Sequence, residues 1–315
     1  MELKPLHIGD HIANIPIMQG GMAVRISTAP LAAAVANEGG IGIIAGTGME
    51  IEELKAEIRQ ARTLSPKGVI GVNILFAVRN FAQLAKAAME EGIDLFVSGA
   101  GFSRDMFSWG KEYNTPVVPI VSSAKLAVMA EKLGAAAIVV EGKEAGGHLG
   151  TERSMREILP EVCSAVRLPV IGAGGVIDGK DIAEVISLGA SGVQMGTRFV
   201  ASRESNASDE MKALYLQSTH RDVVRIKSPV GLPGQGLRNT FYEQLESGNY
   251  SEKADCIACL KQCSHSFCIM AALENACRSG DMNKALIFSG EKIDKIKDIL
   301  PVKEIFRQLL EETAR

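Results

Sequence analysis

Eight short apolar runs alternate with helical stretches over the first two thirds of the chain, and that alternation leaves few folds open. The runs fall at residues 16–18, 41–45, 69–73, 94–98, 117–121, 136–140, 169–171 and 192–195. Between them lie Ala-, Leu-, Lys- and Glu-rich segments such as 29–37, 52–62, 81–91, 124–133, 155–166 and 179–188, with apolar residues three and four apart. Parallel neighbours need a crossover connection, and a helix between successive strands supplies it, so strict alternation predicts a parallel sheet. Eight units predict a closed (β/α)8 TIM barrel. The competing arrangement is an open doubly wound sheet, because alternation alone does not establish closure.

Nearly every run leaves through small or polar residues: Gln19-Gly20-Gly21, Gly46-Thr47-Gly48, Asn73, Ser98-Gly99-Ala100-Gly101, Ser122-Ser123, Gly172-Ala173-Gly174-Gly175 and Gly196-Thr197. In a barrel these gather at the C-terminal rim, where active sites are built, and the loops after strands seven and eight form the usual phosphate site. Gly174-Gly175 also precedes a helix whose free N–H groups can receive an anion, so a phosphorylated cofactor is expected there. The sixth run continues into Glu144-Ala145-Gly146-Gly147-His148-Leu149-Gly150. Glycines let a flat ligand come close, and imidazole titrates nearest neutrality. A lone histidine is more often structural or solvated, yet His148 stands on the rim and is the candidate for proton chemistry beside a bound cofactor.

A barrel of this class takes ~250 residues, and this chain has 315. The surplus lies after the eighth run, where regularity is lost; an amphipathic helix with Val302, Ile305, Phe306, Leu309 and Leu310 on one face then resumes the pattern. The expected organisation is a barrel of residues 1–202 plus 282–315, with an inserted lid at 203–281. The 34 basic and 37 acidic residues nearly cancel, and one Trp and four Tyr offer no stacking platform, which argues against a nucleic-acid partner. No apolar run approaches the ~18 residues needed to span a bilayer, and the start carries no apolar signal segment, so a cytoplasmic protein without a membrane partner is expected.

Cys163 stands alone and is expected to be a small core residue. The other five cysteines crowd between Cys256 and Cys277, unlike a disulfide framework. Cys256, Cys259, Cys263 and Cys268 follow a C-x2-C-x3-C-x4-C spacing, with Cys277 and His265 as spare ligands. Four thiolates in so short a stretch can wrap an iron–sulfur cluster such as [4Fe-4S], hold a structural zinc, or remain free or redox-exchanging thiols.

Taken in order, these motifs resemble the nitronate monooxygenase (2-nitropropane dioxygenase) family, which also contains the FMN-dependent enoyl-ACP reductase II enzymes. The resemblance covers about residues 10–240. It rests on Ile17-Met18-Gln19-Gly20-Gly21-Met22, on Gly71-Val72-Asn73, on the His148 loop, on Ala173-Gly174-Gly175-Val176 and on Gln194-Met195-Gly196-Thr197-Arg198-Phe199. Ser228-Pro229-Val230 and Gly236-Leu237-Arg238-Asn239 are similar to the segment that returns toward the site.

The resemblance implies an FMN-bound barrel with the phosphate on Gly174, Gly175, Gly196 and Thr197, and with Gln19, Gly20, Gly21, Met22, Asn73 and Gln194 near the isoalloxazine or ribityl chain. Glu144, Gly147 and Gly172 complete the expected cofactor set, and His148 faces the flavin as the proton-handling group. It implies oxidation of nitronates or a similar small substrate at the flavin, or alternatively reduction of an enoyl thioester. The cysteine segment is absent from the best-known members. An iron–sulfur site would pass single electrons, so the donor would be ferredoxin-like rather than a nicotinamide, and a flavin/iron–sulfur electron-transfer module becomes a third reading. A homodimer is a further expectation.

Overall fold

In a computed structural model of the chain, residues 2–251 and 256–314 are described. The eight expected strands are present at Ile17–Gln19, Ile41–Ala45, Val69–Leu75, Leu95–Gly99, Val117–Val121, Ile138–Glu141, Val170–Ala173 and Gly192–Met195. All neighbours are parallel, and the eighth strand pairs with the first (Val193 with Ile17), so the sheet closes into a barrel. The open doubly wound alternative is thereby excluded.

Helices cover the outside because their local chemistry starts and stops them there. Ile51–Leu64 begins with a capping box between Glu50 and Glu53. Ala124–Leu133 begins at Ser123, whose side chain accepts from the Leu126 N–H, and ends at Gly134 with φ 100°. Their apolar stripes pack on the strands, and the final helix, Val302–Ala314, fills the same outer ring with Val302, Ile305, Phe306 and Leu309 buried. Inside the barrel, Met18, Ile43, Val97, Val139 and Ile171 form a separate core. Leu6 and Ile8 join that core from an N-terminal hairpin, Leu6–Ile8 paired with His11–Ala13, which the β-α pattern does not predict. The bottom of the barrel is therefore sealed, leaving the opposite rim for ligands.

After the eighth strand the chain departs from the barrel. It forms the helix Asp209–Gln217, the hairpin Val223–Lys227 and Pro233–Leu237, and the helices Thr240–Glu246 and Ile269–Cys277 before the final helix. Pro233–Leu237 also pairs with Gly147–His148, setting Gly234 opposite His148 and Gln235 opposite Gly147. Thus the excursion is stitched directly onto the histidine loop. Among the described residues, no helix is long and apolar enough to cross a membrane.

Candidate active site

All eight strand ends open on one cavity, with residues such as Gly21, Thr47, Asn73, Glu141, Gly174 and Gln194 in its wall. Its free space is about 200 Å³ for water-sized centres, many times the ~10–15 Å³ one trapped water occupies. A ligand-sized molecule is the natural occupant.

The loop after the first strand is drawn in tightly. A side chain at Gly21 would place its Cβ 2.4 Å from the Asn73 Cβ, so only glycine lets these two rim segments meet. Gln19 turns away from the cavity into a fully buried network: its amide nitrogen donates to Ser27 Oγ at 2.9 Å and its Oε1 accepts from the Ile43 N–H at 3.1 Å. It braces the loop that presents Gly20, Gly21 and Met22. Asn73 and Gln194 are nearly buried and do line the space.

Gly174 and Gly175 have φ of 111° and 63°, a left-handed excursion that other residues resist, and they line the cavity with Gly196 and Thr197. The following helix, Gly179–Ser187, does not offer the free N-terminus expected from sequence. Asp178 caps it by accepting from the Asp181 N–H at 2.9 Å, and the Gly179 N–H is taken by Glu312 at 2.9 Å. Loop backbone, rather than the helix end, is what remains for an anion. Gly290, from the chain's return toward the barrel, adds to this corner by donating to Thr197 Oγ1 at 3.0 Å. Lys292 is the cavity's one lysine or arginine among the described residues.

Gly172 lies outside the cavity wall, packed under its own helix: a Cβ there would lie 2.5 Å from Val185 Cγ1. Glu144 lines the cavity, but its carboxylate is held by Ser154 Oγ and by the Met155 N–H at 3.0 Å, tying the loop to the next helix. Gly147, with φ 95°, then swings the chain so that His148 faces inward.

His148 Nε2 lies 2.8 Å from Ser228 Oγ, and its ring packs edge-on against Phe288 at 5.2 Å. Phe288 is fixed in turn by the fully buried Tyr215, whose hydroxyl donates to the Phe288 carbonyl at 2.5 Å. Burial pushes the His148 pKa down to about 4, so the imidazole is neutral near pH 7. Glu141, at the end of the sixth strand, is not among the expected site residues. Glu141 lines the cavity, and enclosure by protein pushes its pKa up to about 8. The signal in the sequence is a lone carboxylate closing an apolar strand. Phe288 and Ser289-Gly290 carried no comparable signal, because they lie some ninety residues past the last barrel strand, where no periodic pattern places them.

The four cysteines of the spaced motif share one loop whose inner edge, at Leu260, forms part of the cavity wall. All four thiols are free, Cys256 being exposed and the others half-buried. Among the described residues, no three His, Cys, Asp or Glu side chains form a ready-made metal site. Cys277 is apart from them, buried with its Sγ 3.2 Å from the Val24 carbonyl, and Cys163 is half-buried against the Gly189 carbonyl.

Known proteins share this architecture. A 5-hydroxy-7a-methyl-1-oxo-octahydro-indene-4-carboxyl-CoA dehydrogenase of Mycobacterium tuberculosis is 35% identical over 237 residues, 74% of this chain; the match spans 66% of that relative's length. A probable nitronate monooxygenase of Staphylococcus aureus is 31% identical over 275 residues, covering 73% of this chain and 77% of the relative. The structure of FabK from Thermotoga maritima superposes with a TM-score of 0.86 at 34% identity, over 95% of this chain and 93% of that one. The nitroalkane oxidase of Streptomyces ansochromogenes shares the fold, with a TM-score of 0.81 at 24% identity. The nitronate monooxygenase family itself matches residues 4–312, almost the whole length, and the chain belongs to that family.

Proposed function

We propose that the protein is an FMN-dependent oxidoreductase that oxidises nitronates or a similar small substrate at the flavin, with His148 as its proton-handling residue. What supports the reading is one cavity lined both by glycine-rich turns suited to a phosphate and by a neutral histidine. The residues fit FMN: the left-handed Gly174-Gly175 turn puts bare backbone in the cavity wall, and Thr197, Gly290 and Lys292 bring polar groups to the same cavity. Gly20, Gly21, Met22, Asn73, Gly147, Gln194 and Gly196 would line the ring and ribityl chain, with Gln19, Glu144 and Gly172 supporting them from behind. When bound, FMN supplies an acceptor or donor of electron pairs at its ring.

The chain's own residues would do the rest. Ser228 occupies one ring nitrogen of His148, so the other is left for substrate. A neutral imidazole can take up a proton as negative charge leaves the substrate, or return one in the reverse direction. The lid at 203–281 would cover the cavity and exclude water.

A second reading, reduction of an enoyl thioester, is favoured by a specific feature. Leu260, Ile269, Met270 and Leu273 give the cavity an apolar side wall suited to an acyl chain. The likeness to FabK, an enoyl-ACP reductase II, points the same way. In that direction the electrons would come from a nicotinamide or a ferredoxin-class carrier.

The deciding experiment compares oxidation of alkyl nitronates with oxidation of the reduced flavin by enoyl thioesters on one preparation. The leading reading expects nitronates to turn over faster, and the reverse order moves the assignment to the reductase. His148→Ala is expected to lower either turnover by ~10²–10⁴-fold with FMN still bound; an unchanged rate would remove the histidine from the chemistry.

A further inference from the structure

The loop that walls the cavity carries more chemistry than an acyl channel needs. Its backbone is fixed to the barrel: the Arg79 N–H donates to the Cys259 carbonyl at 2.9 Å, the Lys261 N–H to the Ala77 carbonyl at 2.8 Å, and Arg79 Nε to the Leu260 carbonyl at 2.8 Å. Leu260, Phe267 and Ile269 are buried and act as anchors. Along this anchored strip Cys256 is exposed, Cys268 is half-buried, and Cys259 and Cys263 are half-buried against the core, with Cys259 within electrostatic reach of the other three.

Two residues of the strip, Ala258 and His265, adopt left-handed φ of 52° and 55°, which costs a non-glycine residue ~1–2 kcal/mol each. Strain of this kind persists where surrounding structure requires it and gathers at ligand clamps. The turn at His265 aims its N–H at Cys263 Sγ, 3.4 Å away, and sets its ring Nδ1 4.0 Å from Cys256 Sγ. Hydrogen bonds from backbone N–H groups to sulfur are what hold and tune ligating thiolates.

We propose that Cys256, Cys259, Cys263 and Cys268 together bind an iron–sulfur cluster in the outer wall of the flavin cavity. Metal displaces the protons and draws the thiolates in. All-cysteine sets serve zinc as well as iron–sulfur clusters, and position selects between them. Leu260 and Ile269 directly follow Cys259 and Cys268, and both line the cavity. The centre is thereby one residue from the space assigned to a redox cofactor, at two separate points. Occupancy of this site does not depend on which substrate the enzyme takes.

The test is iron, acid-labile sulfide and zinc analysis of the full-length protein purified without oxygen, together with its visible spectrum. Expected are iron and sulfide in equal amounts, ~2–4 of each per chain, and a broad absorption beyond the flavin bands that bleaches with dithionite. The Cys259→Ser/Cys263→Ser double variant is expected to lose both while keeping wild-type far-UV circular dichroism, and Cys163→Ser to keep both. Zinc at one equivalent without sulfide overturns the cluster, as do four freely alkylated loop thiols in the anaerobic native protein. Because the wild-type analysis decides alone, a variant that fails to fold does not rescue the proposal.

Discussion

His148 and Glu141 face the same cavity and are shifted in opposite senses by the same cause, the loss of water around a charge. For His148 the folded pKa of about 4 lies below the ordinary 6.5, so the unfolded chain takes up the proton first. Stability is therefore full above pH 6.5 and falls as pH drops toward 4, by up to ~1.4 kcal/mol per pH unit. Denaturant unfolding of wild type and His148→Gln should diverge in that window and run parallel above it. Glu141 behaves inversely: its folded pKa of about 8 lies above the ordinary 4.5, so its contribution is full below pH 4.5 and is lost as pH rises toward 8. Glu141→Gln should abolish that decline, and equal slopes in the two proteins would show that the carboxyl is not enclosed. Ser228 is a different case, because it touches the imidazole and carries no charge. Ser228→Ala should lower kcat by ~10-fold through loss of one hydrogen bond worth ~1 kcal/mol or slightly more, with KM nearly unchanged, and Ser228→Thr should restore much of it. His148 was legible because its glycine loop follows a strand, whereas Ser228 became a partner only through the pairing of Gly234 with His148, a contact between distant segments.

Elements of the barrel stand close to where their sequence patterns put them, since each strand and helix carries its own period and its own end signals. The strands at 41–45, 117–121 and 192–195 and the helices at 29–37 and 124–133 have the expected bounds. The N-terminal hairpin escaped that reading because three-residue strands are too short to show a period. The helix end near Gly174-Gly175 misled for another reason: local sequence announces Asp178 as a cap but not Glu312, which arrives from the last helix. Packing between elements makes a sharp prediction at Gly42, where a Cβ would lie 1.8 Å from the Ala32 carbonyl oxygen and 2.5 Å from its carbon. Backbone cannot yield as a side chain can, so Gly42→Ala should push the first helix off the second strand and cost several kcal/mol, measured as lost soluble folded protein or a large drop in Tm. Gly92→Ala is the control, with φ 75° but no atom within 4 Å of the added Cβ; it should cost only ~1 kcal/mol.

At the scale of the molecule, the cavity has two builders with different cohesion. The barrel is a closed ladder with cores inside and outside the sheet. The ties between the excursion after the eighth strand and the barrel include the Gly234–His148 and Gln235–Gly147 pairing, the Gln235 amide on the Lys143 and Ala145 carbonyls, Gly290 on Thr197, and Arg79 on the Cys259 and Leu260 carbonyls. The ties at Ala145, Gly147, His148 and Thr197 end in the cavity wall, so an occupant of the cavity would hold both sides together. Ligand that binds only the closed arrangement stabilises it by mass action, and the segment outside the closed barrel ladder is where local opening should concentrate. Hydrogen exchange on the protein with and without FMN should therefore slow amides in Val223–Lys227, Pro233–Leu237 and residues 287–290, while strands two to five of the barrel change little. Protection spread evenly over the barrel would mean that both builders open as one unit. Protection confined to residues 173–176 and 196–197 would mean that the cofactor is held by the barrel alone, and that the excursion serves the substrate rather than the flavin.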